Sequence, residues 1–600
     1  MIWHARLASL FSKAHSSSSR LVCSQHFYRN FWPGNKTPHQ STMRKNLFFL
    51  LIIFLSACSG KQQYDTIIRN GMVYDGNGGE PFKGDIAISN DTIAFIGDLS
   101  KASAKNEIDA RGNAVAPGFI NMLAQGMESL IADGKSQSDI RQGVTLEVFG
   151  EGVSMGPLNA KLKAQLQDDL SLLKYKIEWN TLGEYLNFLE KKGVSCNVAS
   201  YVGATTIRMN IIGEDNRDPT PAELDSMRWL VRQAMGEGAM GVGSSLIYPP
   251  AFFAKTDELI ALCTEAGKYG GSYISHMRSE GNKLYEGVEE LITIAKQAKC
   301  HAEIYHLKAG GKDNWGKMDS VIKRVERARR EGLDITADMY TYTAGATGLT
   351  ASFPPSLQDG GFDKLWKRLQ DKTIRDEMKK AMNSNAADWE NLYYGAGGAE
   401  KVLILGFRRD SLRKYIGKTL AQIAAARGTS PEETAMDLIV QDSSRIDVAY
   451  FLMNEDNVKK QVALPWVSFG SDEGTYAPEG VFLKFNPHPR AYGNFARVIG
   501  HYSREEKILS LAHAIQKLSK LPATNLKIKK RGELKAGNYA DIVIFDPAKI
   551  EDHATYDKPH QYATGISDVF VNGVAVLEGG NHTGNKPGRF VKGPGWKKGL

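Results

Sequence analysis

The sequence predicts an α/β protein built on a TIM-type (β/α)8 barrel, with a small β-sandwich domain formed by both chain ends and a helical insertion before the last barrel strand. Three observations support this fold class. Short apolar runs alternate with helical stretches through the middle of the chain, which is the pattern of βα units. Eight such runs are present, the number that closes a barrel. Short β-type runs separated by Gly, Asn and Asp occur near both termini.

The middle of the chain contains eight candidate barrel strands. They are Phe119–Gln125, Thr145–Gly150, Asn197–Gly203, Met240–Leu246, Ser272–His276, Ala302–Lys308, Asp334–Tyr342 and Trp466–Asp472. Residues 343–465 separate the last two candidates, which is far longer than a connecting loop. We therefore expect a mainly helical insertion there, with helical periodicity over Asp363–Met382 and Pro431–Val440. With this insertion, the barrel domain covers residues 119–524.

The two ends of the chain share a different pattern, in which turn residues separate short β-type runs. These runs are Thr66–Asp75, Gly84–Ser89, Thr92–Gly97, Asp541–Asp546 and Ile566–Leu577. Because the same pattern flanks a different middle, we expect residues 64–118 and 525–600 to combine in one β-sandwich domain.

The N-terminus contains two further segments. Residues 1–42 are rich in Ser, Arg and His and lack acids, which indicates a disordered or spurious extension, with an organellar transit peptide as the alternative. Residues 43–58 read MRKNLFFLLIIFLSAC, which resembles a lipoprotein signal peptide, and the apolar run is shorter than the roughly 20 residues that span a bilayer. Lipidation of Cys58 would anchor the protein to a membrane of the bacterial cell envelope, on the periplasmic or outer-surface side. The alternative is a buried apolar strand followed by an unrelated cysteine.

Composition removes several classes of function. The formal charge of +8 is modest for 600 residues, and Lys and Arg are spread along the chain, so we expect no nucleic-acid surface. The five cysteines have no CxxC spacing, which argues against a disulfide framework and against a thiolate zinc cluster. On the motifs described below we expect a small-molecule substrate as the partner, while the sequence does not reveal the oligomeric state.

Residues suited to metal chemistry follow three of the candidate strands. The fifth candidate ends in His276, the sixth contains His306, and the eighth ends in Asp472. The C-terminal ends of barrel strands meet at one rim, and imidazole and carboxylate groups are normal zinc ligands. A single such histidine is more often a buried rim residue, but two with an aspartate on the last strand favour a shared site. Asp472 would orient a water molecule and carry its proton to the leaving nitrogen.

Longer motifs in these strands and loops resemble the amidohydrolase superfamily, specifically the N-acyl-D-amino-acid deacylase (D-aminoacylase) group. The resemblance covers residues 64–600 in consistent order. It rests on APGFI (116–120), QGVT (142–145), YPP (248–250), SHMRSEG (275–281), EIYHLKAGG (303–311), DMYTYTAG (338–345), GSDEG (470–474), HPRAYGNF (488–495) and GELKAGNYADIVIFDP (532–547). The resemblance implies a metal-dependent barrel with a flanking β-sandwich.

The resemblance also assigns roles to individual residues. It implies that His276 and His306 are metal ligands and that Asp472 is the catalytic aspartate and a further ligand. Substrate contacts fall on residues of the matching motifs, and Arg490 would bind the substrate carboxylate in a bidentate pair. The substrate-binding candidates are Lys308, Tyr340 and Arg490, with Tyr248 and Arg278 weaker ones that packing explains equally well.

The chain departs from the family pattern at the first metal position. Asn121 stands in place of a common aspartate, and Leu123 and Gln125 stand in place of two histidines. Many members also have a cysteine after the second strand, where this chain has Glu151 followed by Gly152. Glu151 is either a replacement ligand, offset by one residue from the cysteine, or a loop carboxylate. The fourth strand ends without the lysine that bridges metals in other branches.

These departures predict one divalent metal ion, zinc, bound by His276, His306, Glu151 and Asp472. We expect a metal-dependent amidohydrolase that cleaves the amide of N-acyl-D-amino acids or related small D-amino-acid amides and dipeptides. One alternative is a catalytically weakened binding lipoprotein, which the missing histidines favour. A second alternative, a cyclic-amide hydrolase, ranks lower because it expects the paired histidines and the lysine.

Overall fold

The computed structural model describes residues 63–169 and 172–598. The predicted extension, the signal peptide and Cys58 lie outside the described residues. None of the helices in the described part is both long and apolar enough to cross a membrane.

The described residues contain strands in four hydrogen-bonded sheets. In chain order the strands are β1 (Gln63–Val73), β2 (Phe82–Ser89), β3 (Thr92–Gly97), β4 (Ser103–Asp109), β5 (Ala114–Pro117), β6 (Phe119–Asn121), β7 (Val144–Phe149), β8 (Asn197–Ser200), β9 (Val202–Gly203), β10 (Gly241–Ser245), β11 (Ser272–His276), β12 (Ala302–Ile304), β13 (Ile335–Met339), β14 (Gly345–Gly348), β15 (Val402–Gly406), β16 (Asp447–Tyr450), β17 (Val467–Phe469), β18 (Ile542–Phe545), β19 (Ile566–Val571), β20 (Val574–Glu578) and β21 (Asn581–His582).

Helices pack around these sheets and begin at residues that favour helix starts. Thr220 and Glu223, for example, form a capping box before Pro221, the first residue of a long helix. The α-helices are Ser129–Ala132, Gln137–Ile140, Ala160–Asp169, Leu182–Lys192, Ala204–Ile211, Pro221–Glu237, Thr256–Gly267, Leu284–Ala298, Met318–Arg330, Phe362–Arg368, Lys372–Met382, Leu392–Ala396, Leu420–Arg427, Pro431–Asp442, Glu455–Ala463, Arg490–Arg497, Leu511–Leu518 and Lys520–Asn525.

The predicted (β/α)8 barrel is confirmed, and all eight candidates contain a barrel strand. Strands β6, β7 and β8 pair in parallel, and β9, β10, β11, β12, β13 and β17 form a second parallel run. The third barrel strand is divided between β8 and β9. The barrel closes where the Met122 N–H donates to the Phe469 carbonyl at 3.2 Å. Alternate residues of successive strands, including Leu146, Val148 and Ile274, fill the interior.

Both chain ends contribute strands to one nine-stranded sheet. β1 is long enough to pair with β2, β4 and β5, and β5 pairs with β18. The last segment departs from the predicted sandwich boundary. It runs along the barrel, where Val591 N–H donates to the Val198 carbonyl and Gly593 N–H donates to the Gly238 carbonyl.

The insertion before the last barrel strand carries the two predicted helical regions, the first as Phe362–Arg368 and Lys372–Met382 and the second as Pro431–Asp442. It also contains a feature that the sequence analysis missed, the antiparallel sheet β14-β16-β15. Tyr450 at the end of β16 lines the same cavity as the barrel-rim residues. The insertion therefore forms one wall of the candidate site.

Candidate metal centre and substrate pocket

The C-terminal ends of four barrel strands place the predicted chemical groups at one rim. His276 ends β11, while Glu151, His306 and Asp472 follow β7, β12 and β17. His306 and Asp472 have φ angles of 33° and 50°, in the left-handed region that side chains rarely adopt. Such strained backbone is retained where surrounding contacts fix it, and here the Asp472 N–H donates to the Leu123 carbonyl at 2.8 Å.

Glu151, His276 and His306 form a compact cluster. Glu151 Oε1 lies 2.9 Å from His276 Nδ1 and 3.0 Å from His306 Nε2. One ligand atom from each residue lies within 4.8 Å of the others. The two imidazole rings meet edge to face, with centroids 4.4 Å apart. Two nitrogens and one carboxylate oxygen thus converge on one point.

This geometry fits a divalent cation. Ligand atoms bound to tetrahedral zinc at about 2.0–2.1 Å lie about 3.3 Å from one another, close to the separations of Glu151 Oε1 from the two imidazole nitrogens. Burial acts to raise the pKa of Glu151, but its hydrogen bonds to His276 and His306 outweigh burial and lower it, so the carboxylate is ionised. The cluster is therefore an anionic ligand set with two imidazoles.

Asp472 is not among the described residues whose ligand atoms converge within 4.8 Å of one another, so its role as a fourth ligand stays a prediction from the sequence. Its Oδ2 forms an ion pair with Arg490 Nη2 at 2.8 Å, and its backbone carbonyl accepts a hydrogen bond from the same nitrogen at 2.6 Å. Gln125 Nε2 lies 3.4 Å from Asp472 Oδ1 and donates to Glu151 Oε2 at 2.7 Å. Asp472 therefore stands beside the metal cluster and is linked to it through Gln125.

Lys308 and Glu280 form a buried ion pair that contacts His306 of the cluster. Lys308 Nζ lies 2.7 Å and 2.8 Å from the two carboxylate oxygens of Glu280. Glu280 Oε1 is also 2.9 Å from His306 Nδ1, the ring nitrogen that faces away from Glu151. Carboxylates in this position fix the orientation of metal-binding imidazoles. Sequence reasoning missed Glu280, although it stands in the SHMRSEG motif four residues after His276.

The predicted substrate-binding residues lie around a cavity of about 430 Å³. Tyr248 packs edge to face on His276 at 5.2 Å, and the Arg490 guanidinium stacks on Tyr340 at 4.2 Å. Arg490 Nε and Nη1 and the Tyr340 hydroxyl have no hydrogen-bond partner in the described part of the chain. Lys308 lines the cavity too, but its ammonium is already paired with Glu280.

Arg278, a weaker substrate-binding candidate, makes contacts that stabilise the fold. Its guanidinium donates to the Glu290 carboxylate at 2.9 Å and to the carbonyls of Phe252 and Ala254. It is not among the residues that line the cavity. Arg278 therefore fastens a loop to the helix Leu284–Ala298.

A barrel with two imidazoles and a carboxylate converging at its rim defines the class of metal-dependent hydrolases. Residues 175–577 match the family model described as Amidohydrolase family. The chain is 31% identical over 537 residues to D-aminoacylase from Alcaligenes xylosoxydans xylosoxydans, covering 89% of this chain and 98% of that protein. The chain belongs to the amidohydrolase family.

Two solved structures agree with this assignment. D-aminoacylase, in a study of its binuclear metal centre with one-metal activation and second-metal attenuation, superimposes with a TM-score of 0.73 at 31% identity. N-acyl-D-glutamate deacylase from Bordetella bronchiseptica, complexed with zinc and a phosphonate mimic of the tetrahedral intermediate, also gives 0.73, at 28% identity. Each covers 88% of this chain and 100% of the solved chain. The protein is a metal-dependent hydrolase of carbon–nitrogen bonds other than peptide bonds.

Proposed function

We propose that the protein holds one zinc ion at Glu151, His276 and His306 and hydrolyses N-acyl-D-amino acids or related small D-amino-acid amides and dipeptides. The observation that carries this proposal is the convergence of three ligand atoms beside Asp472 in a cavity of about 430 Å³. D-aminoacylase and N-acyl-D-glutamate deacylase, the two kinds of relative compared above, both act on D-amino-acid derivatives.

Different residues bind the metal ion and transfer the proton in the proposed reaction. Glu151, His276 and His306 would hold a divalent metal ion, which would supply the Lewis acidity that activates water at neutral pH. Asp472 accepts the proton of the attacking water at Oδ1, because Arg490 holds Oδ2 at 2.8 Å. It then returns the proton to the leaving nitrogen, so that the departing group is a neutral amine.

The same arrangement explains how a substrate carboxylate is bound. Arg490 keeps Nε and Nη1 free of partners among the described residues, and Tyr340 keeps its hydroxyl free. Arg490 is buried, and one of its free N–H groups can donate to one carboxylate oxygen while the Tyr340 hydroxyl donates to the other. Arg490 therefore has two tasks, holding Asp472 and fixing the α-carboxylate of the substrate next to it.

The two alternatives have less support. A barrel that only binds would have no use for an aspartate held beside two imidazoles. The cyclic-amide alternative has structural neighbours in hydantoinases, but the L-hydantoinase from Arthrobacter aurescens is 15% identical with a TM-score of 0.50, a likeness that concerns the fold alone. The lipid anchor at Cys58 and the cell-envelope location stay predictions from the sequence.

A panel of N-acetyl-D- and N-acetyl-L-amino acids tests the proposal with the zinc-loaded protein. We expect release of the free D-amino acid, and Asp472→Asn should lower kcat by about a thousandfold or more while zinc content is kept, because proton transfer and oriented water are lost together. Failure of the zinc-loaded protein to cleave any member of the panel would contradict the proposed function and favour the binding protein.

A further inference from the structure

Gln125 stands where the resembling family carries a metal-binding histidine, and its backbone is firmly placed. Its N–H donates to the Glu473 carbonyl at 2.8 Å, after the last barrel strand. The preceding Ala124 N–H donates to the Val148 carbonyl at 2.9 Å, in the second strand. The side chain therefore enters the site from a fixed point between the first, second and last barrel strands.

The amide of Gln125 lies between two carboxylates. Its Nε2 is 2.7 Å from Glu151 Oε2 and 3.4 Å from Asp472 Oδ1. Both neighbours are hydrogen-bond acceptors, and the amide nitrogen carries two N–H groups. The amide thus offers one donor to each carboxylate.

The other oxygen of each carboxylate is already committed. Glu151 Oε1 faces the imidazoles of His276 and His306, and Asp472 Oδ2 is paired with Arg490. Oε2 of Glu151 and Oδ1 of Asp472 are therefore the atoms left to bind a further cation. Such a cation would need the position that Gln125 Nε2 occupies.

Leu123, the other residue at which the chain departs from the family pattern, also disfavours a second metal ion. Leu123 is fully buried and packs with Ile120, Met122 and Leu146 inside the barrel, so it offers no ligand atom. An amide neutralises no charge, but it separates the two carboxylates and satisfies an oxygen of each. The solved D-aminoacylase has a binuclear metal centre, and the resemblance to the deacylase group implies two histidines where this chain has Leu123 and Gln125.

We propose that Gln125 is a positioning residue whose amide takes the place of a second metal ion. It sets the spacing between Glu151 and Asp472 and restricts the site to one metal ion. The kinetic part of this inference rests on the proposed function, whereas the metal count does not.

The metal count is tested on the purified protein, dialysed against excess zinc and then against metal-free buffer, by inductively coupled plasma mass spectrometry. We expect about one equivalent in the wild type and about two in Leu123→His/Gln125→His, because two imidazoles are restored beside the free carboxylate oxygens. Gln125→Glu gives a second route if the double variant does not fold, since it adds an anionic ligand at the same place. Two equivalents in the wild type, or one in every folded variant, would overturn the proposal.

The positioning role is tested with Gln125→Met, which keeps the length of the side chain and removes both N–H groups. We expect the metal content to stay at the wild-type level, KM to stay within about twofold, and kcat to fall about ten- to a hundredfold, the scale that misplacement of a catalytic group costs. The matched control is Gln233→Met, which removes a 3.0 Å hydrogen bond from glutamine to Glu237 on the helix Pro221–Glu237, outside the residues that line the cavity.

Wild-type kcat in Gln125→Met, or an equal loss in Gln233→Met, would contradict the positioning role. If the wild type cleaves no N-acyl-D-amino acid, the proposed function fails on its own, and the metal counts of the histidine and glutamate variants still decide whether Gln125 replaces a second ion.

Discussion

Two glutamates, one within the second barrel strand and one in the loop that follows it, have opposite environments. Glu151, after β7, has both oxygens in hydrogen-bonding contact, with His276 and His306 on one and Gln125 on the other. Glu147, within β7, is fully buried, and neither of its oxygens has a hydrogen-bond partner among the described residues. Four positions along the chain therefore separate a carboxylate with hydrogen-bond partners on both oxygens from one with none.

The pKa shifts of the two residues follow from these contacts. Burial and the neighbouring Asp139 raise the pKa of Glu147 well above its ordinary value. The hydrogen bonds of Glu151 to the two imidazoles outweigh its burial and lower its pKa. A perturbed pKa alone therefore does not mark a functional carboxylate in this protein. The convergence of ligand atoms distinguishes Glu151 from Glu147.

Replacing each glutamate by glutamine tests this difference with the largest expected effect. Glu151→Gln should lower zinc affinity and kcat/KM by about a hundredfold or more, because the anionic ligand between His276 and His306 is lost. Glu147→Gln should leave both quantities within about twofold, because Glu147 contacts no ligand atom of the cluster. Zinc competition with a chelator and steady-state kinetics on both variants provide the measurement. Equal losses in the two variants would show that the two environments are not functionally different.

Replacing Arg490 should lower activity by an intermediate amount. Arg490→Lys keeps the positive charge but removes the Nη2 group that pairs with Asp472 and the Nε and Nη1 groups, which have no partner among the described residues. We expect kcat/KM to fall about ten- to a hundredfold, with a rise in KM and a fall in kcat, and zinc affinity to stay unchanged. A loss of zinc in this variant would mean that Arg490 supports the metal cluster as well.

The smallest effect belongs to Asp139, the buried carboxyl that neighbours Glu147, and depends on pH. Burial raises the pKa of Asp139 to about 7, while its hydrogen bond from Asn121 acts in the opposite direction. A carboxyl whose folded pKa lies above its unfolded value of about 3.9 loses its contribution to stability as pH rises toward 7. Asp139→Asn should therefore raise the melting temperature by about 2 °C more at pH 8 than at pH 5. Differential scanning fluorimetry at the two pH values measures this, and an equal shift at both would contradict the assigned charge cost.

Periodicity and motif order allowed the barrel and the terminal β-strands to be predicted from the sequence. Strand ends were less predictable, since the candidate Ala302–Lys308 contains a strand only over Ala302–Ile304. His306 then takes a left-handed φ that tertiary contacts impose. The sheet of the insertion was missed because β14 reads GATG, which has no alternation of apolar and polar residues.

Only part of the candidate site could be predicted from the sequence. His276, His306 and Glu151 stand at strand ends, where the barrel topology itself brings residues together. Glu280 and Gln125 act through contacts across loops that no local pattern encodes. Asp472 was assigned to the metal because carboxylates are common ligands, but its pairing with Arg490 depends on how the helix Arg490–Arg497 is placed.

The central claim is that Glu151, His276 and His306 hold a metal ion on which hydrolysis depends. Isothermal titration of the apo protein with zinc, for the wild type and His276→Ala/His306→Ala, tests it most directly. We expect one saturable site in the wild type and none in the variant, together with recovery of hydrolysis in proportion to bound zinc in the wild type alone. Unchanged zinc binding in the variant, or full hydrolysis by the apo protein, would contradict the account.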